Sequence, residues 1–446
     1  MSTTLATHKK IGPLGSALDF TRDAFQFLKT LHGYDAPVVK FRLAHLPGYY
    51  LRDPNLAQTI LRKYVHEFEK GGPAFGTARK LMGDGLPVSK GDLWIRQRRT
   101  ISPAFHHRCL DAYQQVMQQQ IVAAFDQVEV GKSIEAFGMF STMSFQVIRY
   151  SLFGAQLTEE EVACIAEFVN ISVRQSAKRS RMGFNPPAWL PVMENARLRK
   201  VTRESRESLR QAIRAKMEQG KEPGTTLLDM LLYTPDPKTG EKMPMEQVIH
   251  EAIIFFVAGS DTTASGLSWL PYVLAENPVV HQQLTTEIEH VVGDGFPTLT
   301  DYLERMPYTQ RVLKEVLRIN APVWILTRQL KETTEVDGYV FPKGANVFMS
   351  PLMMHYDERF WADPEAFDPD RFVQPEADTL QSYMPFGVGP RRCIGERFAE
   401  LEIALTLIYM VQHFTWTIEN TRPPEFNFDS TLTLKEGMWV KWHRRA

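Results

Sequence analysis

The stretch FGVGPRRCIG, Phe386 to Gly395, sets one cysteine among three glycines and a proline, with two arginines just before it. The chain has only three cysteines, Cys109, Cys164 and Cys393. Cys109 and Cys164 read as small buried hydrophobes. Cys393 has different neighbours. The glycines let the backbone turn tightly and approach a flat partner. The segment ERFAELEIALTLIYMVQHF follows at once and reads as a helix, with Phe398, Leu401, Leu405 and Ile408 along one face. Cys393 thus precedes a helix N-terminus, where the dipole and Arg391 and Arg392 favour a thiolate. A thiolate can serve as nucleophile, zinc ligand or axial ligand to haem iron. Any of the 12 histidines could be a nucleophile's base. Zinc wants further Cys or His ligands at close spacing, and none are near. Haem needs one axial thiolate, cations for its propionates and a flat apolar slot, which Arg391, Phe386 and the glycines suit.

The rest of the chain bounds the alternatives. It has 446 residues, 43% hydrophobic and 23% charged, with net charge −1. That is ordinary globular composition, without the charge imbalance of a nucleic-acid or acidic-membrane binder. The cysteines are few and far apart, which fits a reducing compartment. The first twenty residues lack the apolar core of a signal peptide. The most apolar stretch, Glu251 to Ala275, is broken by Ser260 to Thr263 and falls short of a membrane span. These features predict a cytoplasmic protein with no transmembrane anchor.

Strand character marks Val38 to Leu43 and Tyr49 to Leu51, with a hairpin turn expected at Pro47 and Gly48. From about Gly91 to Asn320 helical patterns dominate. The segments EVDGYVFPKGANVFMS and TLTLKEGMWVKW read as hairpins. There is no repeat or long linker. The expectation is one large, mainly α domain over residues 1–446 with small β-sheets at both ends, residues 1–20 forming a flexible N-terminus.

The cysteine loop resembles the haem-binding loop of the cytochrome P450 superfamily, the haem-thiolate monooxygenases, matching F-x-x-G-x-R-x-C-x-G at every fixed position. Other motifs agree. Glu315-Val-Leu-Arg318 resembles the family's E-x-x-R. Phe367-Asp-Pro369-Asp-Arg371-Phe372 resembles the stretch that adds a second arginine to it. Alone, E-x-x-R on a helix is a surface pair of ~0–1 kcal/mol. The resemblance implies a buried lock of Glu315, Arg318 and Arg371. Ala258-Gly-Ser-Asp261-Thr262 resembles the family motif on the long helix crossing above the haem. Without the others it would read as a helix packing contact. With them, Asp261 and Thr262 resemble the acid–alcohol pair that passes protons during dioxygen activation, and Gly259 leaves room for dioxygen. Trp94 and Arg98, four apart on one helix face, resemble a propionate contact. Arg328 falls where the family places another propionate-binding arginine.

The resemblance implies haem b (iron protoporphyrin IX) between the central helix and the cysteine loop, with Cys393 on the metal. Trp94, Arg98, Arg328, Phe386 and Arg391 would hold the cofactor. The reaction the resemblance implies is insertion of one oxygen atom from O2 into a lipophilic substrate. Too little chain follows Cys393 for a fused redox domain. The expected partner is therefore a ferredoxin or flavodoxin with an NAD(P)H-dependent reductase. Phe75, Met82, Phe255, Ala258, Val323, Trp324 and Ile325 suggest an apolar substrate pocket, as does the region 182–193. A haem-thiolate peroxygenase, an isomerase or a haem-based sensor are the alternatives, and the acid–alcohol pair weighs against them. On the helix bearing Trp94, Arg96 and Arg99 lie about 200° and 140° from it. They are expected to join Arg392 in a basic patch for an acidic electron donor.

Overall fold

The computed structural model describes residues 5–10, 12–71, 73–182, 193–219 and 226–445. The β-branched run Val38–Leu43 forms strand β2 and pairs antiparallel with β3, Leu46–Leu51. Their turn falls at Ala44 and His45, not at Pro47 and Gly48, which lie inside β3 opposite Arg42 and Phe41. Ala44 takes the left-handed conformation itself (φ 52°). Gly48 is needed for another reason: the Phe41 ring lies where a Cβ would stand, 2.5 Å away.

Four more strands complete this sheet: β1 (Leu5–Thr7), β4 (Phe68–Glu69), β5 (Leu326–Leu330) and β6 (Asn346–Met349). The order is β1-β2-β3-β6-β5-β4, so strands from residues 5–69 sit in one sheet with strands from residues 326–349. The segment predicted as one hairpin over EVDGYVFPKGANVFMS divides. Thr334–Val336 and Tyr339–Phe341 pair around Asp337 and Gly338, and β6 leaves for the large sheet. TLTLKEGMWVKW also divides. Leu432–Leu434 pairs with Phe426–Phe428, whereas Trp439–Arg444 pairs with Phe414–Ile418 and Ser133–Glu135. Local turn chemistry suggested the nearest partner; long-range pairing supplied a different one.

Eight helices frame the site: α1 (Pro54–Lys63), α2 (Pro73–Met82), α3 (Gly91–Ile101), α4 (Ala136–Phe153), α5 (Glu159–Met182), α6 (Met245–Glu276), α7 (Pro307–Ile319) and α8 (Glu396–His413). The apolar stretch of the sequence is α6, 32 residues long and buried over most of its surface. It packs against α4, where Phe145 and Phe256 stack 4.8 Å apart. Gly259 serves this contact: a Cβ there would lie 2.6 Å from Ile148 Cδ1. It faces α4, which replaces the expectation that it makes room for dioxygen. Helix α8 is buried on nearly every face from Leu401 to Val411. No helix among the described residues is long and apolar enough to cross a membrane. The fold is mainly α with small sheets, as expected. Residues 183–192 of the suggested substrate region lie outside the described residues.

Candidate active site

The cysteine loop is pinned at both ends. Cys393 N–H donates to Phe386 C=O (3.0 Å), and Arg392 N–H to Gly389 C=O (3.0 Å). Gly389 has φ +74°, and a Cβ there would collide with the carbonyl of Leu61 on α1. Only glycine lets the loop seat against that helix. Cys393 is walled in by protein, yet its side chain is exposed: it faces open space inside the molecule. Burial, and then Glu396, push its thiol above the ordinary range, against Gly395 N–H, Lys70 and Arg98. The helix end and arginines therefore do not ionise it by themselves; a metal cation would. Among the described residues no cluster of three His, Cys, Asp or Glu side chains could hold a metal, so zinc finds no ligand set there.

Four cations surround this space. Lys70 is pushed down to about 7, first by burial and then by Arg328 and Arg391. Arg391 is pushed down to about 9 by burial and then Arg328, and Arg328 to about 10 by burial. Arg98 is lowered by burial, with Cys393 opposing. Trp94 stacks its ring under the Arg391 guanidinium, 3.8 Å from the centroid, and Arg391 Nη1 donates to Ser89 C=O (2.9 Å). Arg98 Nη1 donates to Arg392 C=O (2.9 Å), and Arg328 Nη1 to Thr327 C=O (2.8 Å). The nearby Glu69 is engaged by Lys331 (2.8 Å). Buried cations that repel one another await anionic groups. Lys70 has no motif spacing to the rest, and only the folded chain brings it there.

Helix α6 lies opposite. Phe105 links it to the cysteine loop: its ring is 5.7 Å from that of Phe255 and 3.9 Å from where a Gly395 Cβ would stand. Within α6, Ala258 is exposed and Thr262 half-buried, although Phe255, Phe256, Ser260 and Thr263 around them are buried. One turn apart, they share a face toward interior space. Thr262 Oγ1 donates to Ala258 C=O (2.6 Å). Asp261 turns instead to α4, where Ser141 Oγ donates to its Oδ1 (3.0 Å).

The suggested pocket residues disperse. Phe75 lines a 370 Å³ cavity with Leu46, Arg79, Lys90 and Gln329. Met82 and Phe255 belong to the main core. Val323 is exposed. Trp324 packs edge-on to Phe25 and Phe428 and gives its N–H to Asp429 C=O (2.9 Å). Ile325 packs in that same cluster. Trp324 is thus a core residue beside the sheet.

Glu315 and Arg318 are both fully buried. Arg318 gives two hydrogen bonds to Glu315 (2.7 and 2.8 Å) and three to the carbonyls of His355, Pro364 and Ala366. Arg371 Nε donates to Glu315 Oε1 (2.9 Å), as does Asp368 N–H (2.9 Å). His355 Nδ1 bonds Arg318 C=O, and Nε2 accepts from Met384 N–H (3.0 Å), two residues before Phe386. The buried charges and the cysteine loop therefore share one hydrogen-bond chain.

The predicted free basic patch takes another form. Arg99 grips Asp236, which is almost fully buried (2.6 Å from Nε), and Arg96 lies 3.5 Å from Glu241. Both arginines tie α3 to the loop at 234–242. Arg392 is exposed but paired with Glu396.

The cytochrome P450 family model matches residues 10–441. This chain belongs to the cytochrome P450 family. Cyclooctatin synthase of Streptomyces melanosporofaciens is 31% identical to this P450 over 88% of its chain and 85% of the relative's. Cyclooctat-9-en-7-ol 5-monooxygenase of the same organism is 30% identical over the same shares. A human ultra-long-chain fatty acid omega-hydroxylase is 28% identical over 89% of this chain and 79% of its own. In fold, this P450 resembles the retinoic acid-bound cyanobacterial CYP120A1, with TM-score 0.85 at 24% identity over 99% of both chains. It is a haem-dependent P450 monooxygenase, an oxidoreductase that uses O2, a substrate and a redox partner. The open thiol and the unbalanced cations fit a haem bearing two propionates.

Proposed function

We propose that this P450 inserts one oxygen atom from O2 into a lipophilic small molecule, with haem b ligated by Cys393. The observation that carries the reading is the meeting of an inward-facing Cys393, four cations that form no ion pair with the described residues, and the open Ala258–Thr262 face of α6. Bound haem would supply dioxygen activation. The chain's part is to hold its propionates with Lys70, Arg98, Arg328 and Arg391, the last braced by Trp94, and to set Phe386 against the ring. Thr262 and Asp261 deliver protons in a pocket that otherwise excludes water. Relatives named for cyclooctat-9-en-7-ol and for ultra-long-chain fatty acids support a carbon-rich substrate. The electrons come from a ferredoxin or flavodoxin and its NAD(P)H-dependent reductase. A reconstituted donor should give substrate-dependent NADH consumption; turnover with peroxide alone and none with the donor would instead mark a peroxygenase.

Two further outcomes test the assigned roles. Thr262→Ala should still bind substrate and consume reductant, but release several-fold more peroxide per product. Unchanged coupling would remove Thr262 from proton delivery. Arg391→Leu removes the cation over Trp94 and one of four anion partners. Its haem-to-protein absorbance ratio after desalting should fall several-fold, whereas Arg96→Ala should retain haem as wild type does.

A further inference from the structure

Asp261 and Thr262 are adjacent in sequence but point apart. Successive side chains on a helix diverge by about 100°. Thr262 shares the open face with Ala258, while Asp261 turns to α4 and accepts the Ser141 hydroxyl at 3.0 Å. We propose that Ser141 is a positioning residue for proton delivery, holding the Asp261 carboxylate on the α4 side of the central helix until it takes up a proton. The inference rests on the reading of Asp261 as the delivering acid.

Two influences favour the charged carboxylate: the Ser141 hydrogen bond from α4 and the cation of Arg174, which is exposed on α5. Burial opposes both and is the larger, so the carboxyl lies above its ordinary range. A second α4 serine holds another carboxyl, Glu402 on α8. It takes the Ser144 hydroxyl at 2.6 Å, one turn along from Ser141. The two serines thus serve separate acids on separate helices.

The sequence of events balances. A carboxylate held by Ser141 accepts one proton from solvent on the Arg174 side. Once neutral it is a poorer acceptor for the serine hydroxyl, and the bond weakens. The freed acid can turn toward the Thr262 face and release that proton. It returns charged to Ser141. No electron moves in this cycle.

Removing the hydroxyl removes a bond made to the charged form, so the acid should stay protonated to higher pH. Proton donation fails as the acid ionises, so the alkaline limb of kcat marks this group. In Ser141→Ala that limb should move upward by about half to one pH unit. KM for substrate and the reduced CO spectrum should hold, because Ser141 faces Asp261 and not the Cys393 loop. Ser141→Thr keeps a hydroxyl and should restore the wild-type profile. Ser144→Ala alters only the Glu402 contact and should leave the limb in place. The experiment is the pH dependence of kcat for the haem-loaded enzyme with its donor in these variants and in Asp261→Asn. If Asp261→Asn slows turnover and Ser141→Ala superimposes on wild type, Ser141 has no positioning role. If Ser141→Thr shifts the limb as far as Ser141→Ala, packing and not the hydroxyl is responsible, and the proposal again fails. A wild-type rate in Asp261→Asn would remove the acid itself from the mechanism.

Discussion

Cys393→Ser is expected to abolish monooxygenation, by ~1000-fold or more, and to lose the far-red-shifted Soret band of the reduced CO complex. That band reports thiolate ligation, and electron density from the sulfur is what favours O–O cleavage. No second thiol can take over. Cys109 sits beside Pro103 C=O (3.6 Å), and Cys164, on α5, beside Ser205 Oγ (3.4 Å) of the helix Met193–Gln219. Cys109→Ser and Cys164→Ser should keep both band and activity. A Cys393→Ser protein that retained the band would overturn the assignment of the axial ligand. The change itself should be tolerated, because the loop is held by backbone bonds from Cys393 and Arg392 that serine leaves intact.

The second large effect belongs to the buried charges. Glu315→Ala strands two guanidinium groups, Arg318 and Arg371, and the Asp368 N–H. Arg318→Ala takes two of the hydrogen bonds to Glu315, leaving it only Arg371 and the Asp368 N–H, and strands three backbone carbonyls. Breaking a buried ion pair by removing one member costs ~3–5 kcal/mol. A domain's whole stability is only ~5–15 kcal/mol. Either variant should accumulate as haem-free or insoluble protein, read from haem content per chain and from the soluble fraction. The defect should reach the haem because His355 and Met384 carry the strain to the cysteine loop. Normal haem content in soluble Glu315→Ala would show that the triad is dispensable.

What could be read from the sequence had a local signature. The cysteine loop needs glycines at set positions, and Glu315 and Arg318 lie three apart on one helix, so short spacings expose them. The amphipathic and apolar helices were legible for the same reason. Lys70 and Ser141 had no such spacing. Lys70 reaches Arg391 only when β4 joins the large sheet, and Ser141 meets Asp261 only when α4 packs on α6. The Arg99 partner was hidden likewise: helix geometry correctly turned Arg99 away from Trp94, but could not see Asp236 waiting there. Trp324 looked like a pocket wall because it is large and apolar beside a motif. Its indole N–H needed an acceptor, and Asp429, on the loop between the two closing strands, supplies one. The closing hairpins were misjoined because turn residues specify that the chain reverses, not which strand it then meets.

The seat of Gly389 on α1 and the parallel pairing of β3 with β6 bear on how the enzyme is made. Each contact joins an early part of the chain to a late one. During synthesis, α1 and β3 emerge long before β6 and the cysteine loop, although β3 already has β2 beside it. They must wait, with apolar strand edges uncovered, until β5, β6 and the cysteine loop follow. Contacts so distant in sequence form slowly, because closing a long loop costs entropy before any pairing rewards it. On the proposed reading, haem capture would come after these late closures. All four cations meet only at that stage, and the propionates of a bound haem would offset their mutual repulsion. Cofactor supply, and not chain synthesis alone, should then set the yield of active enzyme: late haem addition would rescue chains poised at this last closure, but not chains whose waiting strands had already aggregated.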